Sequence, residues 1–446
     1  MSSLIKRAPP LRKPEVKPPP SLTFGLEIEM LVAGAMQHHD FDFNLLKPWD
    51  DPHPSDRRWV AKQPRHDERQ EASQEAVKRC LELAGIPNVV RREYNPKTMA
   101  QVSKEARRSQ KSLPLVDMKY HHWRVMRDGS LECEQWVDED EILQNYLWSD
   151  VEVASAVFKC ATPAADSWIE VSLDQKVQLE KVCKILTETL RIRISSACGL
   201  HVHVGLGGEP IPPDTVRRFM TAMWLIEDAV LTLCAPWREG NRVVAPITQG
   251  SLLASDGGLE FLKEWCAEVP PPHLRNMDIH HKLWDRMSTH DQRRVWVIWT
   301  LPVGQLRLAT STPFFTRGSV AIRIPDDAEG DKATTIEIRY ASSTLDAKEL
   351  TSWTNIFLRL FQLCHFYDWA HSAKLMNLIE GVTDALLLSK VNKKGFPTGD
   401  AHAGHELLNL LDLGNDIPVW ENAQKRWARE DNHHHVRCTP FVHRQS

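Results

Sequence analysis

The stretch SLTFGLEIEM (residues 21–30) contains the pattern that decides the fold, because apolar and polar side chains alternate along it. Successive side chains of a β-strand point to opposite faces, so this alternation predicts a strand with one apolar face. That face carries Phe24, Leu26, Ile28 and Met30. Glu27 and Glu29 project from the opposite face. The segment 22–33 is therefore predicted to be a strand that presents two carboxylates on one surface.

Three later segments repeat this arrangement of aliphatic residues on one face and reactive polar residues on the other. They are 151–157, 200–204 and 335–340. Their polar faces carry Glu152, His201, His203, Glu337 and Arg339. Any one of these segments is typical of an ordinary strand with a solvated face. If the four strands join one sheet, however, its polar face collects four carboxylates, two imidazoles and one guanidinium.

A polar face of this composition points to divalent cations. Carboxylates at that density repel one another unless cations lie between them. Mostly oxygen ligands with one or two imidazoles suit Mg²⁺ or Mn²⁺ better than structural zinc. Carboxylate-bound metals with a nearby arginine are typical of sites that catalyse phosphoryl transfer. The sequence has neither of the glycine-rich phosphate-binding motifs GxxxxGK[ST] and GxGxxG after a strand. A nucleotide would therefore be held by metals on the polar face of the sheet.

Amphipathic helices are predicted between and after these strands. Apolar residues recur at helical spacing over four segments: 71–84, 174–190, 213–235 and 346–371. A short strand over 121–131 ends in an Asp-Gly turn, and 317–324 with 333–341 reads as a hairpin with a long acidic loop. The segment 240–315 shows no clear order. Strands and helices in this arrangement predict an α+β fold.

Composition limits the class of protein. The 446 residues include 55 Lys and Arg against 59 Asp and Glu, a formal net charge of −4, which argues against broad binding of nucleic acid. No uninterrupted apolar run reaches the roughly 18 residues of a membrane helix, so no membrane partner is expected. Nine cysteines without a CxxC spacing favour reduced thiols, and the N-terminal segment lacks the apolar centre of a secretory signal. These features predict a cytoplasmic protein.

Five segments occur in the order seen in the amidoligase family, which the chain resembles. They are SLTFGLEIEM (21–30), RDGSLE (127–132), VEVAS (151–155), CGLHVHVG (198–205) and TTIEIRYASST (334–344). The combination of FGLEIE, GLHVHVG and IEIR is specific, whereas each motif alone is not. This family belongs to the carboxylate–amine ligases related to glutamine synthetase and glutamate–cysteine ligase. The resemblance implies a glutamine-synthetase-like catalytic fold, with an antiparallel-rich sheet, helices packed on one face and an active-site funnel on the other.

The resemblance also implies an activity and its cofactors. The activity is ATP-dependent joining of a carboxylate to an amine through an acyl phosphate, with Mg²⁺ or Mn²⁺, on small-molecule or peptide substrates. The residues that look like metal ligands are Glu27, Glu29, Glu152, His201 and Glu337. Arg339 resembles a phosphate-contacting catalytic residue that acts beside Glu337. His203 resembles the second imidazole of the family motif, near the cofactor.

Three further residues lie in segments that resemble the family more loosely. Arg238 and Asn241, in PWREGNR (236–242), look like a segment near nucleotide or substrate, with Arg238 as a catalytic residue. A loop that caps a helix end is an equally good interpretation of that segment. Ser130, with Asp128 in the RDGS segment, would line the cofactor site, or the segment is a simple hairpin turn.

The motifs divide the chain into three regions. Residues 1–20 are basic and proline-rich and are predicted to be a disordered tail. Residues 21–372 form an amidoligase-like catalytic domain, with insertions at about 36–118 and 240–330. Residues 373–446 form a C-terminal extension. Two other functions stay open at this point: a metal-dependent hydrolase that activates water with the same cluster, and an inactive relative that binds a ligand.

Overall fold

The computed structural model describes residues 21–35, 61, 69–90, 104, 120–128, 146–161, 167–238, 245–262, 284–285, 287–310, 319–324, 333–367, 373–388 and 402–431. The expected tail 1–20, most of the insertion 36–118, Ser130 and Asn241 lie outside these residues.

A nine-stranded sheet is built around β1, Thr23–Ala35, which begins where the sequence pattern predicts a strand. The other strands are β2 (Asn88–Val90), β3 (Trp123–Met126), β4 (Tyr146–Ala154), β5 (Phe158–Lys159), β6 (Ile192–Arg193), β7 (Leu200–Gly205), β8 (Val320–Arg323) and β9 (Thr335–Ile338). Their order is β2-β3-β4-β1-β7-β9-β8, and the short β5 and β6 also pair with β1. All pairs are antiparallel except β2 with β3. The predicted antiparallel-rich sheet is confirmed.

Helices account for most of the remaining described chain. They are α1 (Arg69–Leu83), α2 (Leu173–Thr189), α3 (Pro213–Leu231), α4 (Ile247–Gly250), α5 (Asp256–Leu262), α6 (Thr289–Thr300), α7 (Val303–Ala309), α8 (Ala347–Phe366), α9 (Ala373–Leu388), α10 (His402–Leu410) and α11 (Ile417–Asp431). Among these described helices, none is both long and apolar enough to span a membrane. With the sheet, they make the fold a mixed α+β fold.

Local sequence signals explain where the predicted helices begin. The Ser172 side chain accepts from the Gln175 N–H and the Gln175 side chain accepts from the Ser172 N–H, which is a capping box at the start of α2. Asp346 caps α8 by accepting from the backbone N–H groups of Lys348 and Glu349. These caps satisfy N–H groups that have no partner inside the helix.

The core lies between the apolar face of the sheet and the helices. Leu26, Val202 and Ile338 of the strands share one buried cluster with Phe219 of α3 and Phe357 of α8. Helix α8 contacts β7, and α1 contacts β1, β3 and β4. Because apolar strand residues face these helices, the alternating polar residues project from the other face of the sheet.

The strand boundaries differ most from the sequence prediction at β4 and β3. β4 begins at Tyr146, because it pairs with β1 along nine residues, from Glu27↔Ala154 to Ala35↔Tyr146. β3 covers Trp123–Met126 of the predicted 121–131, of which residues 129–131 lie outside the described part of the chain. The segment 240–315, which showed no order in the sequence, contains the four helices α4 to α7.

The C-terminal helices pack on the helical layer. The Trp420 ring meets the Trp353 ring edge-on, with centroids 4.7 Å apart, and its indole N–H donates to Ser352 Oγ. Arg426 donates to both carboxylate oxygens of Glu349 at 2.6 and 2.9 Å. These contacts tie α11 to α8, and α9 and α10 also contact α3.

Candidate metal centre

The register of the sheet brings the polar residues of four strands together. The four strands with reactive faces, β4, β1, β7 and β9, are consecutive neighbours. Glu29 lies opposite Glu152, Glu27 opposite His201, and His203 opposite Glu337. Directly opposite residues of an antiparallel pair project from the same face. One face therefore carries Glu27, Glu29, Glu152, His201, His203, Glu337 and Arg339.

Three of these residues form a first group, here called cluster A: Glu27, His203 and Glu337. One ligand atom from each lies within 4.8 Å of the others. His203 Nε2 is 3.2 Å from Glu27 Oε1. Arg339 Nε donates to Glu337 Oε1 at 2.6 Å, and Arg323 of β8 forms an ion pair with the other Glu337 oxygen. Cluster A thus contains two carboxylates that are already balanced by cationic side chains.

A second group, here called cluster B, consists of Glu29, Asp128 and Glu152. Their ligand atoms also lie within 4.8 Å of one another. His201 lies between the two clusters, with Nδ1 3.0 Å from Glu27 Oε2 and Nε2 3.2 Å from Glu29 Oε1. Cluster B is therefore a group of three carboxylates beside one imidazole.

The carboxylates of cluster A favour the ionised state. Burial alone would raise the pKa of Glu27, but the charge of His203 and hydrogen bonds from His201 and His203 hold it well below its usual range. Burial would likewise raise the pKa of Glu337, but the charges of His203, Arg339 and His201 lower it to about 2. Glu27 and Glu337 in turn raise the pKa of His203 against the effect of burial. Opposite charges thus stabilise one another within cluster A.

The carboxylates of cluster B have the opposite tendency. Burial raises the pKa of Glu29 well above its usual range, and a hydrogen bond and the charge of Asp128 add to this. Burial, then the charges of Glu27 and Asp128, raise the pKa of Glu152, with Arg124 opposing them. Crowded buried acids that resist ionisation are what a divalent cation would relieve.

A glycine permits the close packing of Glu29 and His201. The Gly199 N–H donates to Glu29 Oε2 at 2.5 Å. A Cβ atom at position 199 would lie 3.1 Å from His201 Nε2 and 3.2 Å from Glu29 Oε2. Such contacts are tighter than most real Cβ contacts, so a larger residue would displace one of the two side chains.

Arg238 lies behind this face, fully buried against the backbone. Its guanidinium donates to the carbonyl oxygens of Tyr340, Cys198 and Arg339, at 3.4, 3.3 and 3.0 Å. These bonds join the segment that leads into β7 to the segment that follows β9. The described hydrogen bonds of Arg238 therefore support the segments that carry His201 and Arg339, and its predicted catalytic role stays a prediction.

Sequence reasoning missed Arg323 and left the part of Asp128 open. Arg323 is in a predicted strand and shares the face of Ala321, which lies opposite Glu337, so the same alternation rule would have found it. Asp128 was considered only as a turn or site-lining residue, and it joins cluster B from just beyond the end of β3. Ser130 and Asn241 lie outside the described residues, so their predicted roles stay predictions.

The donor sets fit hard divalent cations. Cluster A offers two carboxylates and one imidazole, and cluster B offers three carboxylates. Carboxylate oxygens are the ligands that Mg²⁺, Mn²⁺ and Ca²⁺ prefer, and a single imidazole is compatible with Mn²⁺. The described cysteines are buried free thiols, and burial raises the pKa of Cys198 to about 12, which does not favour a thiolate-bound metal.

Comparison with known proteins identifies the family. The family model described as "Putative amidoligase enzyme" matches residues 20–361. Among solved structures, the chain is similar to one titled "Crystal structure of the complex between Prokaryotic Ubiquitin-like Protein Pup and its Ligase PafA", at 8% identity and a TM-score of 0.29, over 92% of this chain and 67% of that one. No curated protein matches the sequence. Because the family model spans most of the chain, including every residue of clusters A and B, the chain belongs to this amidoligase family.

Proposed function

We propose that the chain is an ATP-dependent carboxylate–amine ligase that forms an amide through an acyl phosphate. The observation that carries the proposal is the pair of acidic clusters on one sheet face, flanked by arginines that already contact Glu337. A carboxylate is a poor electrophile, so its oxygen must be converted into a better leaving group before an amine can displace it. Phosphorylation by ATP supplies that leaving group.

The chain's own residues have separate parts in this proposal. Glu27, His203 and Glu337 would hold one Mg²⁺ or Mn²⁺ and Glu29, Asp128 and Glu152 a second, with His201 available to either. When bound, the metals would neutralise phosphate oxygens and polarise the transferred group. Arg339 and Arg323 lie beside cluster A, where their guanidinium groups would stabilise charge that develops on the phosphoryl group. Arg238 would keep Cys198 and Arg339 in place by donating to their backbone carbonyl oxygens.

The proposed catalytic domain spans residues 21–372, with a glutamine-synthetase-like sheet whose polar face forms the floor of a funnel. Its substrates would be a small-molecule or peptide carboxylate and an amine. The amine would attack the acyl phosphate carbon, its nitrogen would lose a proton, and inorganic phosphate would leave. Positioning of both substrates over the metals would supply much of the rate enhancement.

The test is ADP release with a panel of carboxylates and amines, in the presence and absence of Mg²⁺. Glu27→Ala and Glu337→Ala are expected to lower Mg²⁺-dependent ADP release by at least about 100-fold, the size typical of losing one preorganised electrostatic contact. Glu170→Ala, which removes a half-exposed carboxylate beside Lys176, is the matched control and is expected to retain activity. Full activity in both site variants would contradict the proposal.

The same assay distinguishes the hydrolase alternative. A metal-dependent hydrolase would release product without ATP, because the metal would activate water directly. A ligand-binding relative without activity would release no ADP with any pair of substrates.

A further inference from the structure

A completely buried carboxylate lies on the helical side of the sheet, away from clusters A and B. It belongs to Glu227 of α3. Its two oxygens accept from the backbone N–H groups of Ile247 and Thr248, both at 2.7 Å, from the Thr248 hydroxyl and from the Tyr340 phenol. Burial raises the pKa of Glu227 to about 7, against the hydrogen bonds from Thr248 and Tyr340. A buried carboxylate is costly without such donors, so these four bonds keep Glu227 in place.

Tyr340 links Glu227 to the polar face of the sheet. It follows Arg339 directly after β9, and successive side chains of an extended chain point to opposite faces. Arg339 therefore reaches Glu337 on the polar face. The Tyr340 phenol reaches Glu227 on the helical side. Burial, then the negative charge of Glu227, raises the pKa of Tyr340 well above its usual range, so the phenol keeps its proton and is the donor.

The Arg339 backbone is also held from a second direction. Its N–H donates to the carbonyl oxygen of Ser319 at 2.8 Å. The Ser319 N–H and hydroxyl both donate to the carbonyl oxygen of Ala245, at 3.3 and 2.5 Å. Two residues after Ala245, the segment 247–248 donates to Glu227. The buried Ser319 therefore connects Arg339 to the segment that binds Glu227.

These contacts form a closed ring of hydrogen bonds that includes Arg339. The ring runs from Glu227 to Tyr340 and Arg339, then to Ser319, and through the segment 245–248 back to Glu227. Hydrogen bonds in such a buried network strengthen one another, so the loss of one bond weakens the others. Glu227 closes the ring because it accepts from both of its ends.

We propose that Glu227 and Tyr340 are positioning residues that hold the Arg339 guanidinium where it stabilises charge on the transferred phosphoryl group. The inference rests on the proposed function, because the part of Arg339 in phosphoryl transfer belongs to that function. Both side chains lie on the helical side and act through the backbone of Arg339. A displacement of about 1 Å in a catalytic group can lower a rate by about 100-fold, so one lost bond in the ring is expected to affect kcat.

The first test compares turnover with stability in Tyr340→Phe. This variant keeps the aromatic ring but removes the donor to Glu227. At pH 8, the kcat of Mg²⁺-dependent ADP release is expected to fall about tenfold, because Arg339 is less well fixed in the transition state. The KM for ATP is expected to stay within about twofold, since the metal ligands are unchanged. A merely structural role would lower the melting temperature and leave the kcat of the folded protein unchanged.

Two further variants keep the result interpretable. Ser352→Ala is the matched control, because it removes the acceptor of the Trp420 indole N–H at 3.1 Å, a buried hydrogen bond between α8 and α11. It is expected to be destabilised to a similar extent but to retain kcat within about twofold. Glu227→Gln turns an amide NH₂ group toward donors and is expected to lower kcat at least as much as Tyr340→Phe. If Glu227→Gln does not fold, Tyr340→Phe still tests the inference.

A second measurement does not depend on turnover. The Arg339 Nε–H, which donates to Glu337 Oε1 at 2.6 Å, is followed by nuclear magnetic resonance in protein labelled with ¹⁵N at the arginine Nε, and Arg339→Lys assigns its signal. In Tyr340→Phe its hydrogen exchange with solvent is expected to be faster by at least about tenfold, and in Ser352→Ala by less than about twofold.

Failure of this inference is distinguishable from failure of the proposed function. Either an unchanged kcat or an unchanged exchange rate in Tyr340→Phe would overturn the inference, while ADP release by the native protein would still support the proposed function. If no substrate pair releases ADP, the proposed function is wrong, and the exchange measurement still tests whether Tyr340 holds Arg339.

Discussion

Clusters A and B lie on the same sheet face but differ in what balances their carboxylates. In cluster A, Glu337 contacts Arg339 and Arg323, and Glu27 contacts His203. In cluster B, Glu29, Asp128 and Glu152 have their carboxylate oxygens within 4.8 Å of one another. Accordingly, the pKa of Glu337 is lowered to about 2, whereas the pKa values of Glu29 and Glu152 are raised.

The difference shows that carboxylates on one sheet face can have two different roles. Cluster A is an ion-pair network whose charges stabilise one another before any metal binds. Cluster B brings like charges together in a buried place, which costs free energy until a cation or protons neutralise them. Metal binding is therefore expected to depend most on cluster B, and the stability of the metal-free protein most on cluster A.

The largest expected effect is on the stability of the metal-free protein. Glu337→Gln is expected to lower the free energy of unfolding at pH 8 by about 3 kcal/mol, because it leaves Arg339 and Arg323 without their counter-charge. Glu152→Gln is expected to leave the free energy unchanged or to raise it, because it removes one of several crowded acids. Urea-induced unfolding with a chelator present measures both. If the two substitutions lower the free energy of unfolding equally, the proposed difference in charge balance between the clusters is wrong.

A somewhat smaller effect is expected on stabilisation by metal. Mn²⁺ at 100 times its dissociation constant is expected to stabilise the native protein by about 2.7 kcal/mol. The double variant Glu29→Gln, Glu152→Gln is expected to lose most of this gain, since cluster B loses two of its three carboxylates. Thermal unfolding with and without Mn²⁺ measures the gain, and Glu170→Gln is the control. A double variant with the full gain would show that Mn²⁺ does not depend on cluster B.

The smallest effect is the pH dependence of metal binding. Burial and neighbouring acids raise the pKa values of Glu29 and Glu152, so protons must leave cluster B before a metal binds. Mn²⁺ affinity is therefore expected to rise by about tenfold between pH 5.5 and pH 7.5, or about 1.4 kcal/mol, because protons are only partly released over this range. Spin-resonance titrations at pH 5.5, 6.5 and 7.5 measure it. An affinity that does not change with pH would contradict the raised pKa values.

Metal-free stability should follow the opposite sign at the two clusters. Groups with raised folded-state pKa values, as in cluster B, contribute stability that is present at low pH and is lost as pH rises through those values. Glu337, with its pKa lowered to about 2, contributes stability that is present above its unfolded-state pKa and is lost as pH falls toward 2. The Glu337→Gln comparison therefore belongs at pH 8, where that contribution is complete.

Alternation along each strand was enough to predict most of the residues that share the polar face of the sheet. It assigned Glu27, Glu29, Glu152, Glu337 and both imidazoles to polar faces, because the period of side chains in a strand is two residues. It did not identify Asp128 as a possible metal ligand, because Asp128 lies beyond the end of β3. Such residues reach the site through strand pairing, and pairing depends on contacts between distant parts of the chain.

The sequence by itself determined which residues share a strand face, where the four helices α1, α2, α3 and α8 form, and which family the motifs resemble. These are local properties, set by side-chain periodicity and by capping residues such as Ser172 and Asp346. Only the tertiary structure decided the register that separates clusters A and B, and the burial that raises some pKa values and lowers others. It also showed that Arg238 binds backbone carbonyls, because hydrogen-bond partners about 40 and 100 residues away come together only when the sheet forms.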